Sequence, residues 1–205
     1  MKQIWKSICT FFQTPEQMAE QVFEDIENAY TSSARHYHNF LHINHLLKLI
    51  DQYSAQISDI PSLQLTAFFH DFVYDPDRKD NEFQSALYAQ KSMKNMNVPP
   101  KTCEKVYNYI LATQHHKVSN DFDLQFFLDA DLSVLGSELS VYQQYATQIR
   151  HEYKSVPMFL YKIGRTKVLK KMLERQTLFP ILTHLESQAK QNLCWEIDDL
   201  RIFKF

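Results

Sequence analysis

The chain has 205 residues, with 22 Lys plus Arg against 24 Asp plus Glu and a formal net charge of −2. It is long enough to bury a sizeable core, but it has no bulk field that would attract nucleic acid or an anionic membrane. Only two glycines occur, Gly136 and Gly164, which excludes glycine-rich phosphate loops, dinucleotide fingerprints and sheets built on tight hairpins.

An all-α fold with short polar connections is therefore expected, and the elements follow in chain order. Met1 to Phe12 mixes Lys2 and Lys6 with Trp5 and Phe11 and lacks an apolar run before a small-residue cleavage site, so it does not read as a signal peptide. Thr14-Pro15-Glu16-Gln17 sets a capping threonine before a proline at the first helical position, with a glutamine three residues after the cap. Met18, Val22, Ile26 and Tyr30 then recur every fourth residue. In "YHNFLHINH", Tyr37 to His45, a helical reading puts His38, His42 and His45 at i, i+4 and i+7 on one face, with the helix running on to about Ile57. Pro61-Ser62 separates it from "LQLTAFFHDFV", Leu63 to Val73, which is apolar except for His70-Asp71.

Tyr74 to Glu82 is a polar loop broken by Pro76, and Asp80 is placed to cap a helix from Asn81 to about Met96. Pro99-Pro100 ends that segment, and the next helix runs from about Lys101 to near His115-His116. "LQFFLDADLSVLG", Leu124 to Gly136, is again apolar apart from Asp129 and Asp131. Helices at about Val141–Tyr153, Pro157–Gln176 and Ile181–Ile202 complete the chain. No stretch reaches the roughly 20 apolar residues of a membrane span. Cys9, Cys103 and Cys194 are far apart and odd in number, which reads as reduced thiols, and the expected location is the cytoplasm.

Seven of the nine histidines lie between positions 36 and 116. His70-Asp71 and Asp129/Asp131 sit in apolar runs, where an unpaired polar group costs several kcal/mol. A cation held between helices would offset that cost, and imidazole with carboxylate suits Mn, Fe, Ni, Zn, Co and, with waters, Mg. From the residues alone, either Asp129 or Asp131 can complete the set.

The order of a histidine-rich stretch, a later His-Asp pair and a distant aspartate after alanine resembles the HD-domain superfamily of metal-dependent phosphohydrolases. The segments that carry the resemblance to one predicted phosphohydrolase branch are "RHYHNFLHI" (Arg35 to Ile43), "FFHDFVYDPDRKDNEFQSA" (Phe69 to Ala86), "LDADLSVLG" (Leu128 to Gly136), "GRTKVLKKMLERQ" (Gly164 to Gln176) and "AKQNLCWEI" (Ala189 to Ile197). The resemblance implies one HD-type helical bundle over 1–205, with a core at about 14–136 and C-terminal helices at about 141–202 packed on it. It implies His42, His70, Asp71 and Asp131 as ligands of a divalent metal, with Asp131 preferred because it follows the alanine. Likeness of YHNxxH to cyclic nucleotide phosphodiesterases makes His38 the proton donor. The implied substrate is a small phosphorylated molecule, a phosphomonoester or nucleotide, attacked by water that the metal activates.

Other residues have two readings. Glu82 can orient water or simply face a helix dipole. Arg35, Lys79 or Arg165 can balance phosphoryl charge. One of His115 and His116 can serve a second metal or the substrate. Asp75 and Asp77 can reach the site or simply form turns beside Pro76. Lys167, Lys170, Lys171 and Arg175 suit a solvated helix face or, as the lesser reading, phosphate binding, and Phe203 and Phe205 suit either a sticky surface or a core. The competing functions are a cyclic or linear phosphodiesterase, oxygenase chemistry at a di-iron site, and a regulatory protein that keeps a metal without turnover.

Overall fold

A computed structural model describes residues 1–201. Among these residues it contains ten α-helices, two short 3-10 turns and no strand, an all-α architecture. The chain divides into two compact units, Met1–Leu128 and Asp129–Phe205, with the division falling inside one helix. No helix among the described residues is long and apolar enough to cross a membrane.

The first unit comprises α1 (Lys2–Phe11), α2 (Glu16–Tyr30), α3 (Phe40–Gln52), α4 (Ile60–Phe69), α5 (Asn81–Asn95), α6 (Pro100–Thr113) and the body of α7 (Phe122–Asp131). The first residues form the amphipathic helix α1, which buries Trp5, Ile8 and Cys9. The Trp5 indole donates to the Ala19 carbonyl at 2.9 Å and its ring meets Phe68 edge-on at 5.2 Å. Burial pushes the Cys9 thiol up to about 11 even though Thr14 opposes the shift, which leaves it protonated. Thr14 does not cap α2: its hydroxyl donates to the Met96 carbonyl at 2.7 Å, and Pro15 occupies the capping position.

The central helix α4 buries Leu63, Leu65, Ala67, Phe68 and Phe69 completely, so it has no polar face. It starts earlier than its apolar run suggests, because Asp59 accepts from the Ser62 amide at 3.1 Å and brings Pro61 into the first turn. Asp123 secures the same entry: its buried carboxylate accepts the Ser58 and Asp59 amides at 2.9 Å each. Asp80 stands at the start of α5 without a side-chain cap bond, its oxygens being taken by Arg78 and Gln84.

The second unit takes the last turn of α7, a 3-10 turn at Ser133–Gly136, α8 (Leu139–Glu152), α9 (Met158–Leu173), a 3-10 turn at Thr183–Leu185 and α10 (Glu186–Asp199). The helix expected over Ile181–Ile202 is thus shorter, and Ile202, like Phe203 and Phe205, lies outside the described residues. Gly136 is required by close approach, since a Cβ there would stand 2.6 Å from Leu185 Cβ. Asn192 grips both sides of it, donating to the Leu135 and Ser137 carbonyls at 2.8 Å each. Gly164, in α9, has no such neighbour within 4 Å.

Candidate metal centre

The histidine stretch is not one helix. Asn39 accepts from the Leu41 amide at 2.8 Å and donates to the His36 carbonyl at 2.8 Å, so α3 begins at Phe40 and His38 lies in the turn before it. The one-face reading of His38, His42 and His45 fails for this reason: an asparagine cap outcompetes helix propagation through Tyr37 to Asn39. His42 falls in the first turn of α3 and is buried, whereas His45 is exposed and outside the cluster.

His70 ends α4. The helix stops at Phe69, short of the expected Val73, and the chain turns so that His70 points inward while Asp71 stays partly accessible. His70 Nδ1 lies 3.1 Å from the Ala67 carbonyl. A proton on Nδ1, donated to that oxygen, leaves the Nε2 lone pair facing the cluster, the usual second-shell arrangement for a metal-binding imidazole.

His70 Nε2 stands 3.1 Å from His42 Nε2 and 3.1 Å from Asp71 Oδ2, and the Asp71 oxygen is 3.9 Å from His42 Nε2. Asp131, the last residue of α7, joins them: ligand atoms of His42, His70 and Asp131 all lie within 4.8 Å of one another. The same helix packs Phe127 edge-on against the His70 ring at 5.6 Å. Two imidazole nitrogens and the Asp131 carboxylate are borderline-hard donors at spacings a single divalent cation can bridge with small adjustments, so these three residues fit a metal ion.

Asp129 and Asp131 are separated by role. Asp129 is buried, and its Oδ2 accepts the Ile181 and Leu182 amides at 2.7 and 2.9 Å. Residues two apart on a helix diverge by about 200°, so only one of the two can face the histidines, and it is Asp131.

Two residues expected to balance phosphoryl charge have hydrogen-bond partners within the chain. Arg35 spends its guanidinium on the main chain, donating to the carbonyls of His38 (3.2 Å), Asp71 (2.6 Å) and Phe72 (2.7 Å). It also lies over the rings of Tyr30 and Tyr74 at 4.6 and 5.6 Å. It therefore braces the His38 turn against the Asp71 turn. Arg165 is likewise occupied, in a buried two-point pair with Glu196 at 2.7 and 3.0 Å within the second unit. A sequence gives an arginine's charge but not which acceptors have already claimed its fork.

The remaining candidates lie outside the metal-capable group. Glu82 is half-buried in the first turn of α5. Ser85, one turn on, exchanges hydrogen bonds with Val73 at 3.0 and 3.2 Å, which ties the Asp71 turn to that helix. Lys79 is exposed, and its carbonyl accepts from Gln114 at 3.1 Å. His115 and His116 follow the end of α6, with His116 at φ 46, so the helical divergence expected between them does not apply. Asp75 accepts from the Asp77 amide at 3.0 Å and exchanges bonds with Asn81, the turn-forming role.

Sequence reasoning missed Tyr37 and Tyr74. His38 stacks on Tyr74 with ring centroids 4.1 Å apart, and Tyr37 lies 5.0 Å from the rings of both His38 and His42. Tyr37 directly precedes His38, whereas Tyr74 follows Asp71 by three residues and carries no such local signal. No family model matches the chain, and no curated protein or solved structure matches it either.

Proposed function

We propose that the chain is a metal-dependent phosphohydrolase of the HD type that cleaves a phosphomonoester or a nucleotide phosphate. One observation carries the reading: two buried imidazole nitrogens 3.1 Å apart converge with the carboxylates of Asp71 and Asp131. His42, His70, Asp71 and Asp131 would hold a divalent cation, which when bound supplies Lewis acidity toward a phosphoryl oxygen and an activated water.

The chain's own residues supply the rest. His38 stands in the turn before α3 with its ring centroid 6.1 Å from that of His42, and Tyr74 fixes its plane by stacking. An imidazole in that position can protonate the departing oxygen of a substrate whose phosphoryl group rests on the donor set. Arg35 positions both turns without touching substrate. Phosphoryl charge then falls to Lys79, His115 or His116, and Glu82 orients water from the start of α5.

Metal-stripped protein reloaded with Mn, Fe, Ni, Zn, Co or Mg should hydrolyse an aryl phosphate or a member of a nucleotide panel, with phosphodiesters included to separate the two ester classes. Stoichiometric metal binding without turnover on any of them would overturn the enzymatic reading in favour of a metal-bound regulatory protein. His38→Ala should keep the metal and lose about 10²–10⁴-fold in rate. Loss of metal in that variant would overturn its role as acid.

A further inference from the structure

α9 is unlike the other helices of the second unit. It buries only Tyr161 and Leu169, with Arg165 between them paired to Glu196, so its contact with the unit is one narrow stripe at i, i+4 and i+8. The opposite side exposes Phe159 (58%), Leu160 (56%) and Ile163 (49%) in the first two turns and Lys167, Lys170 and Lys171 in the last two. α9 holds five basic residues and no acidic one. Placement near a helix C-terminus accounts for Lys170 and Lys171 through the dipole, but not for Lys162, Lys167 or the exposed apolar turns. Single exposed apolar residues are ordinary; three on one face of one helix, continued by lysines, form a surface.

α2 has the reverse composition, with five acidic residues and no basic one. Asp25 is engaged by Tyr88 and Gln21, and Glu27 by Lys2. Glu16, Glu20 and Glu24 remain as an exposed row, each four residues from the next. None of these three glutamates, nor Lys162, Lys167, Lys170 or Lys171, makes an ion pair among the described residues. Like charges three or four apart on a helix repel by a few tenths of a kcal/mol per pair, and Lys2 and Lys6 of α1 line the same groove as the three glutamates. Phe11, 67% exposed, stands just before the acidic row, as Phe159 and Leu160 stand before the basic one.

We propose that two copies of this chain associate by docking α9 of each against α2 of the other. The basic face of Lys167, Lys170 and Lys171 meets the acidic row of Glu16, Glu20 and Glu24, and the exposed aromatic and aliphatic side chains beside them supply apolar burial. Leu160, Gly164 and Val168 lie one turn apart, and the open space at Gly164 lets a partner helix come close. The inference is independent of the metal chemistry.

Sedimentation velocity at about 50 mM and about 500 mM salt tests it, because a Debye length near 10 Å at 0.1 M makes such pairs salt-sensitive. Wild type should be dimeric at low salt and dissociate at high salt. K167E/K170E/K171E alone and E16K/E20K/E24K alone should each weaken self-association about a hundredfold or more, and an equal mixture of the two should restore a dimer. Circular dichroism verifies helix content, and Gln substitutions at the same positions replace any variant that unfolds. A wild type that stays monomeric, a dimer that survives either reversal, or a mixture that stays monomeric would each overturn the proposal. Binding of monomer to phosphatidylserine vesicles without self-association would also overturn it and assign the face to a lipid surface.

Discussion

Around His42 and His70 the converging side chains are all electron-pair donors, whereas around Glu196 the second unit supplies its own cation. Arg165 meets both oxygens of Glu196, and Tyr142 donates its hydroxyl to one of them. Burial, and then Glu196, push the Tyr142 phenol far above its ordinary range, so it stays a donor. That network is balanced by residues of the chain. The group of His42, His70 and Asp131 has instead the donors that could hold a cation that is not a side chain.

The sharpest way to break this contrast is to change Asp131 and Asp129 in parallel. Asp131→Ala should weaken divalent-metal affinity by more than about a hundredfold in calorimetry, beyond what outer-shell changes do. Asp129→Ala should leave affinity within about tenfold but cost about 3 kcal/mol in urea unfolding, as two amides lose a charged acceptor. Equal metal loss in both variants would erase the distinction. Next in size, Arg165→Met should cost about 3–5 kcal/mol by stranding Glu196, and Arg165→Met with Glu196→Leu should recover most of it at unchanged metal stoichiometry.

Arg35→Lys separates bracing from substrate binding. It should lower kcat and metal affinity about tenfold with KM unchanged, because the lost bonds run to the backbone of His38, Asp71 and Phe72. A raised KM with intact metal affinity would return Arg35 to the substrate. The smallest effect belongs to Asp59. Burial raises its pKa, but the Ser62 hydroxyl, Lys105 and the Ser62 amide outweigh burial and hold it below the usual carboxylate range. Its contribution is then fully present above about pH 4 and fades as pH falls through the depressed folded value. Asp59→Ala should cost about 1 kcal/mol in thermal melts at pH 7 and much less at pH 3.

The helical class was legible because glycine scarcity and fourfold apolar spacing are local properties. So was the ligand pattern, since His42, His70 and Asp131 interrupt apolar surroundings where an idle polar group is costly. What was hidden depends on who reaches whom. Asn39 set the phase of α3 and removed His38 from the face of His42, and Asp59 moved the start of α4 ahead of Pro61. Both arginines read as available charge until their acceptors were known. The choice between Asp129 and Asp131 rested on which one the loop at Ile181 had already taken, a contact more than fifty residues away.

Gly136 bears on how the second unit tolerates change. An added methyl there would press on Leu185 Cβ at 2.6 Å and on its carbonyl oxygen at 2.8 Å, while Asn192 clamps the chain on both sides. The strain could not relax within the 3-10 turn and would pass to the start of α10. Of the two glycines, Gly164 can drift without packing cost inside the chain, whereas Gly136 is a hinge pin: any replacement would be felt first as a parting between Ser133–Gly136 and Thr183–Leu185, two segments some fifty residues apart in sequence.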